Sequence, residues 1–171
     1  MSEQRGITVL HAQGVMGREW GSTGGNQNGY EMSGKTDDGS GRKKRILVLD
    51  DTKPIRILIL KSFEKQYDVY LESDGHEALD TIRNSDPRMD LVIMDFDMPK
   101  LNGYQVVRLL KNIDPDIPVI MVSGSLDEGR LQKVRQAGVS TILAKPVNLK
   151  RLREEIERVL GPPPAGTAEE P

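Results

Sequence analysis

The sequence contains no cysteine, few aromatic residues and no long apolar run. Without cysteine it has no disulfide framework, no zinc-thiolate site and no thiol nucleophile. No apolar stretch approaches the roughly 20 residues that a membrane helix needs, and the N-terminus lacks a basic-then-apolar secretion signal. The 24 basic and 26 acidic side chains nearly cancel, so no strong net charge attracts nucleic acid or anionic lipid. We therefore expect a cytoplasmic protein with no nucleic-acid or membrane partner.

Glycine is unevenly distributed along the 171 residues. Ten of the 17 glycines precede residue 45, and residues 161–166 read Gly-Pro-Pro-Pro-Ala-Gly. Segments of this composition bury too little apolar surface to offset the entropy that is lost on ordering. We predict a disordered extension over residues 1–44, a folded domain over 45–160 and a disordered tail over 161–171.

Within the predicted domain, short apolar runs alternate with segments of helical periodicity. The runs 46–49, 91–94 and 119–122 are apolar throughout, which is typical of strands buried on both faces. Further strands are expected near 67–71 and 142–144. The first helical segment follows Thr52, which can cap a helix, and its predicted core stripe is Ile55, Leu58, Ile59 and Phe63. Five strands alternating with five helices predict an α/β fold with a parallel sheet covered on both faces.

Polar side chains end four of these strands: Asp50 and Asp51, Asp95, Ser123, and Lys145. Open α/β sheets bind ligands at the carboxyl ends of their strands, so we expect these side chains to lie close together. Clustered carboxylates without thiolate or histidine neighbours favour Mg²⁺. A lysine and a hydroxyl suit the oxygens of a phosphoryl group, and a carboxylate can itself accept that group. These residues predict magnesium-dependent phosphoryl transfer onto Asp95 or Asp97.

Four ordered motifs resemble those of the response-regulator receiver domains of two-component signalling. They are ILVLDD (46–51), DLVIMDFDMPKLNG (90–103), PVIMVSG (118–124) and GVSTILAKP (138–146). The resemblance covers essentially all of residues 45–160 and implies the CheY-like, flavodoxin-like (βα)5 fold with strand order 2-1-3-4-5. It implies a phosphoacceptor protein rather than an enzyme, one that catalyses only its own phosphorylation and dephosphorylation. The expected partners are a histidine kinase or histidine phosphotransfer protein and a downstream protein.

The resemblance also implies a role for each matching residue. Asp95 is the expected phosphoacceptor, and Ser123 and Lys145 are expected to contact phosphoryl oxygens. Gly103 is expected to relieve the turn into the third helix, and Pro146 to hold Lys145 inward through a cis bond. The expected Mg²⁺ ligands are Asp50, Asp51, Asp95 and the main-chain carbonyl of Asp97.

The chain departs from the family pattern at two positions. Ile142 stands where many receivers carry an aromatic switch residue, and an aliphatic side chain cannot make the same ring rotation. Asp97 places an acid two residues after the phosphoacceptor, where we expect it to alter Mg²⁺ affinity or the lifetime of the phosphoryl group. Neither departure removes a group that phosphorylation needs.

A partner surface is predicted on the first helix. Ile57 and Leu60 are spaced by three residues and turned away from the core stripe, and surplus apolar residues of this kind suggest a binding surface. We interpret them as a docking site for the phosphodonor and include Ile142 in the partner surface. The alternative is that neighbouring structure buries them.

Two further patterns are interpreted as structural. Residues 29–36 satisfy the P-loop pattern, but no apolar strand precedes them and no helical pattern follows, so we do not expect them to bind a nucleotide. The basic run Arg42–Arg45 could be a nucleic-acid arm or a localisation signal. We favour a solvated lead into the first strand.

Two other functions remain open. Asp95-Phe96-Asp97 with Ser123 and Lys145 also resembles a phosphatase of the haloacid dehalogenase type, although the order of the acidic pair and the lack of room for a cap domain disfavour it. The third candidate is a receiver-like binding module that does not depend on phosphorylation, which Ile142 favours slightly.

Overall fold

A computed structural model describes residues 42–124 and 127–163. Strands and helices alternate strictly within them, as the sequence predicts. The strands are β1 (Arg45–Leu49), β2 (Asp68–Glu72), β3 (Leu91–Asp95), β4 (Val119–Ser123) and β5 (Thr141–Ala144). The helices are α1 (Lys53–Phe63), α2 (Gly75–Asn84), α3 (Gly103–Ile113), α4 (Glu128–Gln136) and α5 (Leu149–Leu160). None of the described helices is long and apolar enough to cross a bilayer.

Several sequence-based expectations fall on parts of the chain that are not described. Nearly all of the predicted N-terminal extension, including the P-loop pattern at 29–36, lies outside the described residues. The same holds for residues 164–171 of the predicted tail. The domain boundaries at these ends therefore stay predictions.

The strands form one parallel sheet in the order β2-β1-β3-β4-β5. This confirms the expected strand order and the flavodoxin-like class. The order reverses between β1 and β3, because the chain first adds β2 on one side of β1 and then continues on the other. Leu49 at the end of β1 pairs in register with Met94 near the end of β3. The residues that follow these two strands therefore emerge side by side.

Each face of the sheet packs into its own apolar core. On one face Leu47, Val92 and Met121 pack with residues of α2, α3 and α4. On the other face Ile46, Ile93 and Ile120 pack with residues of α1 and α5. Because neighbouring strand residues point to opposite faces, an apolar run of four or five residues is needed to supply both cores. The sheet is thereby fixed on both sides, and its carboxyl edge holds the polar side chains.

The predicted core stripe of α1 is partly wrong. Ile59 and Phe63 are buried, but Leu58 is 43% exposed. Successive helical residues are rotated by about 100°, so Leu58 and Leu60 flank Ile59 on opposite sides of the buried stripe. The sheet and its neighbours cover Leu60 in part and leave Leu58 outside.

Two local expectations at the ends of α1 are also corrected. Thr52 occupies the N-cap position but makes no side-chain capping bond. Its hydroxyl donates to Asp51 at 3.3 Å, and it is the Thr52 main-chain carbonyl that accepts hydrogen bonds from the amides of Ile55 and Arg56. Strand β2 starts at Asp68 rather than Tyr67, because the Tyr67 amide still donates to Phe63 in the last turn of α1.

The basic run before β1 is held in the fold. Arg42 forms a two-bonded ion pair with Asp90 at 2.8 and 3.1 Å. The Arg45 backbone donates to the same carboxylate at 2.8 Å, and its guanidinium donates to the Tyr70 hydroxyl. These residues are half-buried, so the lead into β1 is less solvated than the sequence suggests.

Candidate functional site

Three carboxylates meet at the carboxyl edge of the sheet. Asp50 and Asp51 follow β1, and Asp95 ends the neighbouring strand β3. One oxygen of each carboxylate lies within 4.8 Å of the others. The donor set consists of hard oxygens, which is the set that Mg²⁺ and similar cations prefer. This group of residues, named the acidic cluster below, could hold a metal cation.

The members of the acidic cluster differ in their exposure. Asp95 and Asp50 are only 2% and 4% exposed, whereas Asp51 is open to solvent. The Asp50 carboxylate accepts a hydrogen bond from the Thr52 amide at 2.8 Å, which fixes its orientation. The Asp51 carboxylate accepts only the long contact from Thr52 among the described hydrogen bonds of its side chain. The cluster therefore combines two fixed, buried acids with one that reaches into solvent.

Lys145 is placed against the buried acids by the end of β5. Its ammonium lies 2.7 Å from one oxygen of Asp95 and 3.8 Å from one oxygen of Asp50. Burial works against the charged ammonium, but the hydrogen bond and charge of Asp95 outweigh it and raise the Lys145 pKa above its ordinary value. The Lys145–Pro146 peptide bond is cis, as expected. Lys145 thus provides a fixed positive charge at Asp95.

Ser123 and Asp97 complete the arrangement around Asp95. Ser123 is 3% exposed, and its hydroxyl donates to a carboxylate oxygen of Asp97 at 3.3 Å. The Asp97 amide donates to the other oxygen of Asp95 at 3.0 Å. The two oxygens of Asp95 are therefore held by different donors, one by the Asp97 amide and one by Lys145. The residues predicted for the phosphoryl and metal site, Asp50, Asp51, Asp95, Asp97, Ser123 and Lys145, therefore lie at one edge of the sheet.

Position 103 requires glycine for a different reason from the one expected. Its backbone torsion is not among the positive values, so it does not relieve a strained turn. A Cβ on Gly103 would lie 2.8 Å from the Phe96 Cα and 3.0 Å from the Asp95 carbonyl oxygen. Only a residue without a side chain lets α3 begin so close to the strand that carries Asp95.

Sequence reasoning missed Arg56. Its guanidinium donates to the main-chain carbonyl of Asp50 from the first part of α1. The sequence signal is weak: a basic residue within the first turn of an apolar-rich helix that follows the acidic pair. Arg56 braces the backbone that presents Asp50 and Asp51.

The predicted partner residues are in different environments. Ile57 is 36% exposed, as expected, and lies on α1 beside the exposed Leu58. Leu60 is half-buried. Ile142 is half-buried against the core on the α2, α3 and α4 side of the sheet and pairs in register with Met121. The described residues thus leave Ile57 and Leu58 as the apolar surface of α1.

Removing the charge of Asp50 is expected to stabilise the metal-free protein. Burial is the main reason that the Asp50 pKa lies above its ordinary value, although the Thr52 amide acts in the opposite direction. The folded state therefore binds this proton more tightly than the unfolded state, and stability falls as pH rises through the raised pKa. Asp50→Asn, measured by thermal unfolding in a chelator from pH 3.8, the ordinary pKa of this carboxyl, upward to neutral pH, should raise Tm and flatten its decline with pH.

The matched control is Asp51→Asn, because that carboxylate is exposed and neutralising it relieves little burial cost. It should change Tm less than Asp50→Asn does. A lower Tm for Asp50→Asn in the absence of divalent ions would contradict this account of the acidic cluster.

Comparisons with known proteins agree with this geometry. A family model described as the response regulator receiver domain matches residues 46–157. Sporulation initiation phosphotransferase F of Bacillus subtilis is 30% identical over 118 residues, which cover 68% of this chain and 94% of that protein. Response regulator MprA of a Mycobacterium species is 34% identical over 117 residues, and the match covers 68% of this chain and 50% of that protein. This chain therefore matches only about half of MprA.

A solved structure supports the same fold. Chemotaxis protein CheY4 of Vibrio cholerae superposes with a TM-score of 0.65 at 26% sequence identity. The superposition covers 70% of this chain and the whole of that one.

Proposed function

This chain belongs to the response-regulator receiver family, and we propose that Asp95 accepts a phosphoryl group from a phosphohistidine and so switches a partner-binding surface. The observation that carries this proposal is the position of the Asp95 carboxylate. It lies 2.7 Å from the Lys145 ammonium and within 4.8 Å of the carboxylates of Asp50 and Asp51. A buried nucleophile with a cation on one side and two further carboxylates on the other is an arrangement suited to phosphoryl transfer.

The transfer itself needs little covalent chemistry from the protein. An oxygen of the Asp95 carboxylate attacks phosphorus, and a P–O bond forms as the P–N bond to the donor imidazole breaks. The bonding electron pair returns to the imidazole, which leaves as a neutral ring when its other nitrogen is protonated. The product is an acyl phosphate on Asp95. The protein then acts on itself alone, in its own phosphorylation and dephosphorylation.

Lys145 and Ser123 would bind the incoming group. The Lys145 ammonium already contacts Asp95, so it can pair with an oxygen of a phosphoryl group attached there. The Ser123 hydroxyl belongs to the adjacent strand β4 and can donate to another phosphoryl oxygen. Both donors are supplied by strand ends, which gives them fixed positions.

The acidic cluster and the main-chain carbonyl of Asp97 would hold Mg²⁺. The all-oxygen donor set fits this ion. Burial raises the Asp50 pKa because it disfavours the charged carboxylate, and a bound cation would stabilise that charge. When bound, Mg²⁺ would neutralise negative charge on the oxygens of the phosphoryl group during its transfer. Asp50 and Asp51 would hold the ion beside Asp95, whose carboxylate would accept the phosphoryl group.

The donor would be a histidine kinase or a histidine phosphotransfer protein that docks on α1. Supporting observations are the exposed Ile57 and Leu58, which lie near the middle of the helix that follows Asp50 and Asp51. Because kinases make phosphohistidine from a nucleoside triphosphate, we propose that the chain acts in the cytoplasm. A downstream protein would read the phosphorylated form, with Ile142 as part of the surface that it reads.

Ile57→Glu is expected to slow phosphoryl transfer from a phosphohistidine protein by about tenfold, because a charge replaces an apolar contact at the docking surface. Phosphorylation by a small donor such as acetyl phosphate should be unchanged, since it requires no docking. Transfer rates are measured with both donors under the same conditions.

Leu109→Glu is the matched control, because Leu109 is an exposed apolar residue on a different helix, α3. It should leave both rates unchanged. If Ile57→Glu lowered the phosphorylation rate equally with both donors, the substitution would be damaging the site itself, and the docking proposal would be wrong.

One experiment separates this function from its alternatives. The protein is incubated with Mg²⁺ and acetyl phosphate, and its intact mass is followed with time. A lasting, base-labile adduct supports the receiver function. Rapid multiple turnover of phosphoesters would favour the haloacid-dehalogenase-type phosphatase, because Asp95 and Asp97 form a similar acid pair. No adduct at all would favour a phosphorylation-independent binding module.

A further inference from the structure

We propose that the Asp97 carboxylate is a latch that holds the Ser123 hydroxyl away from the phosphoryl site in the unphosphorylated protein. The inference rests on the proposed function and assigns a positioning role to one of the chain's departures from its family pattern. The latch is the hydrogen bond from Ser123 Oγ to Asp97 Oδ2 at 3.3 Å. If the latch exists, Asp97 weakens binding of the phosphoryl group, whereas the sequence does not indicate whether Asp97 strengthens or weakens it.

The Ser123 hydroxyl has a single proton to donate. In the described structure this proton points to Asp97, whereas phosphoryl binding requires it to point to an oxygen on Asp95. The two bonds exclude each other. Each molecule therefore has to break the latch before Ser123 can contribute to the phosphorylated state.

The backbone around Ser123 is fixed, so the choice is made by the side chains. The Ser123 carbonyl accepts a hydrogen bond from the Lys145 amide at 2.8 Å, and the preceding Val122 carbonyl accepts one from Phe96 at 2.9 Å. Ser123 is buried, while Asp97 is exposed. The serine can exchange partners by rotating its hydroxyl, and the aspartate can turn out into water.

Phosphorylation would itself open the latch. The Asp97 amide donates to Asp95, so the Asp97 side chain starts next to the group that becomes phosphorylated. A phosphoryl group adds about 1.5 to 2 negative charges at neutral pH. Repulsion then disfavours the Asp97 carboxylate where it holds Ser123, just as the phosphoryl oxygens become strong acceptors for the hydroxyl. Without the Asp97 carboxylate, the Ser123 hydroxyl could donate to a phosphoryl oxygen without first breaking another hydrogen bond.

The test measures binding of fluoroberyllate, a phosphoryl analogue, to the full chain in the presence of Mg²⁺. Asp97→Ala is expected to raise the affinity by about fivefold, because no latch has to be broken. In a Ser123→Ala background, the same substitution should change affinity by less than about twofold. This double-mutant cycle isolates the part of the effect that passes through the hydroxyl.

A simple charge effect gives a different pattern. If Asp97 acted only by repelling an anion, Asp97→Ala would strengthen binding equally in both backgrounds, and the latch would be overturned. No gain in the wild-type background would overturn it as well. Failure of the unsubstituted protein to bind fluoroberyllate with Mg²⁺ would remove the proposed function and the latch together, whereas the two preceding outcomes leave that function intact.

A second readout examines the variants without analogue or metal and uses the analogue-bound protein only as a reference. In the metal-free protein, Asp97→Ala should move the Ser123 amide resonance toward its position in the fluoroberyllate-bound wild type. Asp80→Ala is the control, because Asp80 is an exposed acid on α2 that is paired with Arg83. It should move neither the Ser123 resonance nor the affinity. An unchanged Ser123 resonance in Asp97→Ala would contradict the latch.

Discussion

Asp95→Asn is expected to abolish the phosphoryl adduct completely in the presence of Mg²⁺ and acetyl phosphate. An amide is not a nucleophile toward phosphorus under these conditions, and the substitution also removes a negative charge from the acidic cluster. Asp95 lies 2.7 Å from the Lys145 ammonium, whereas Asp50, the other buried acid of the cluster, lies 3.8 Å from it, so Asp50 is less well placed to accept the group. Intact mass after an acid quench measures the result.

Asp68→Asn is the matched control for this experiment. Asp68 is exposed and lies at the first residue of β2, so it is at the opposite end of the sheet from the acidic cluster. It should form the adduct as the unsubstituted protein does. Adduct formation by a folded Asp95→Asn variant would mean that another residue accepts the phosphoryl group.

Gly103→Ala is expected to destabilise the domain by about 3 kcal/mol, because its new methyl group would overlap backbone atoms that cannot rotate away. The nearest are the Phe96 Cα at 2.8 Å and the Asp95 carbonyl oxygen at 3.0 Å. For a domain of this size the loss corresponds to a fall in Tm of roughly 10 °C. Thermal or urea unfolding measures it.

Gly129→Ala provides the same chemical change where space is available. Among the described residues, a Cβ at Gly129 would meet only the Asp127 Oδ1, at 3.4 Å, and Gly129 lies in helix α4. Alanine is the better helix former, so this variant should gain up to about 0.5 kcal/mol. If Gly103→Ala were as stable as Gly129→Ala, the close approach of α3 to the Asp95 strand would not be the reason for glycine at position 103.

The convergence of the site residues could be predicted because the fold follows from simple patterns. Apolar runs as short as Ile46–Leu49, bounded by polar residues, favour strands buried on both faces, and alternation with helices favours a parallel sheet. Parallel strands bring their carboxyl ends to one edge, so Asp50, Asp95, Ser123 and Lys145 had to meet there. The strand order itself came from the family resemblance, since several orders satisfy the same alternation.

What could not be predicted depends on tertiary contacts. The exposure of Leu58 depends on how α1 is rotated over the sheet, and periodicity alone does not distinguish it from Leu60. The hydrogen bond between Ser123 and Asp97 joins residues 26 positions apart through a loop whose conformation no local pattern specifies. The need for glycine at 103 likewise arises from a nearby backbone rather than from its own torsion angles.

The most direct test of the account is to locate the phosphoryl group chemically. The protein is treated with acetyl phosphate and Mg²⁺, reduced with borohydride, which converts an aspartyl phosphate to homoserine, and then digested and fragmented. We expect homoserine at position 95 alone, and none when a chelator replaces Mg²⁺. Homoserine at Asp50, Asp51 or Asp97, a reduction-resistant adduct on Ser123, or labelling of Asp95 that persists without divalent ions would contradict the central claim.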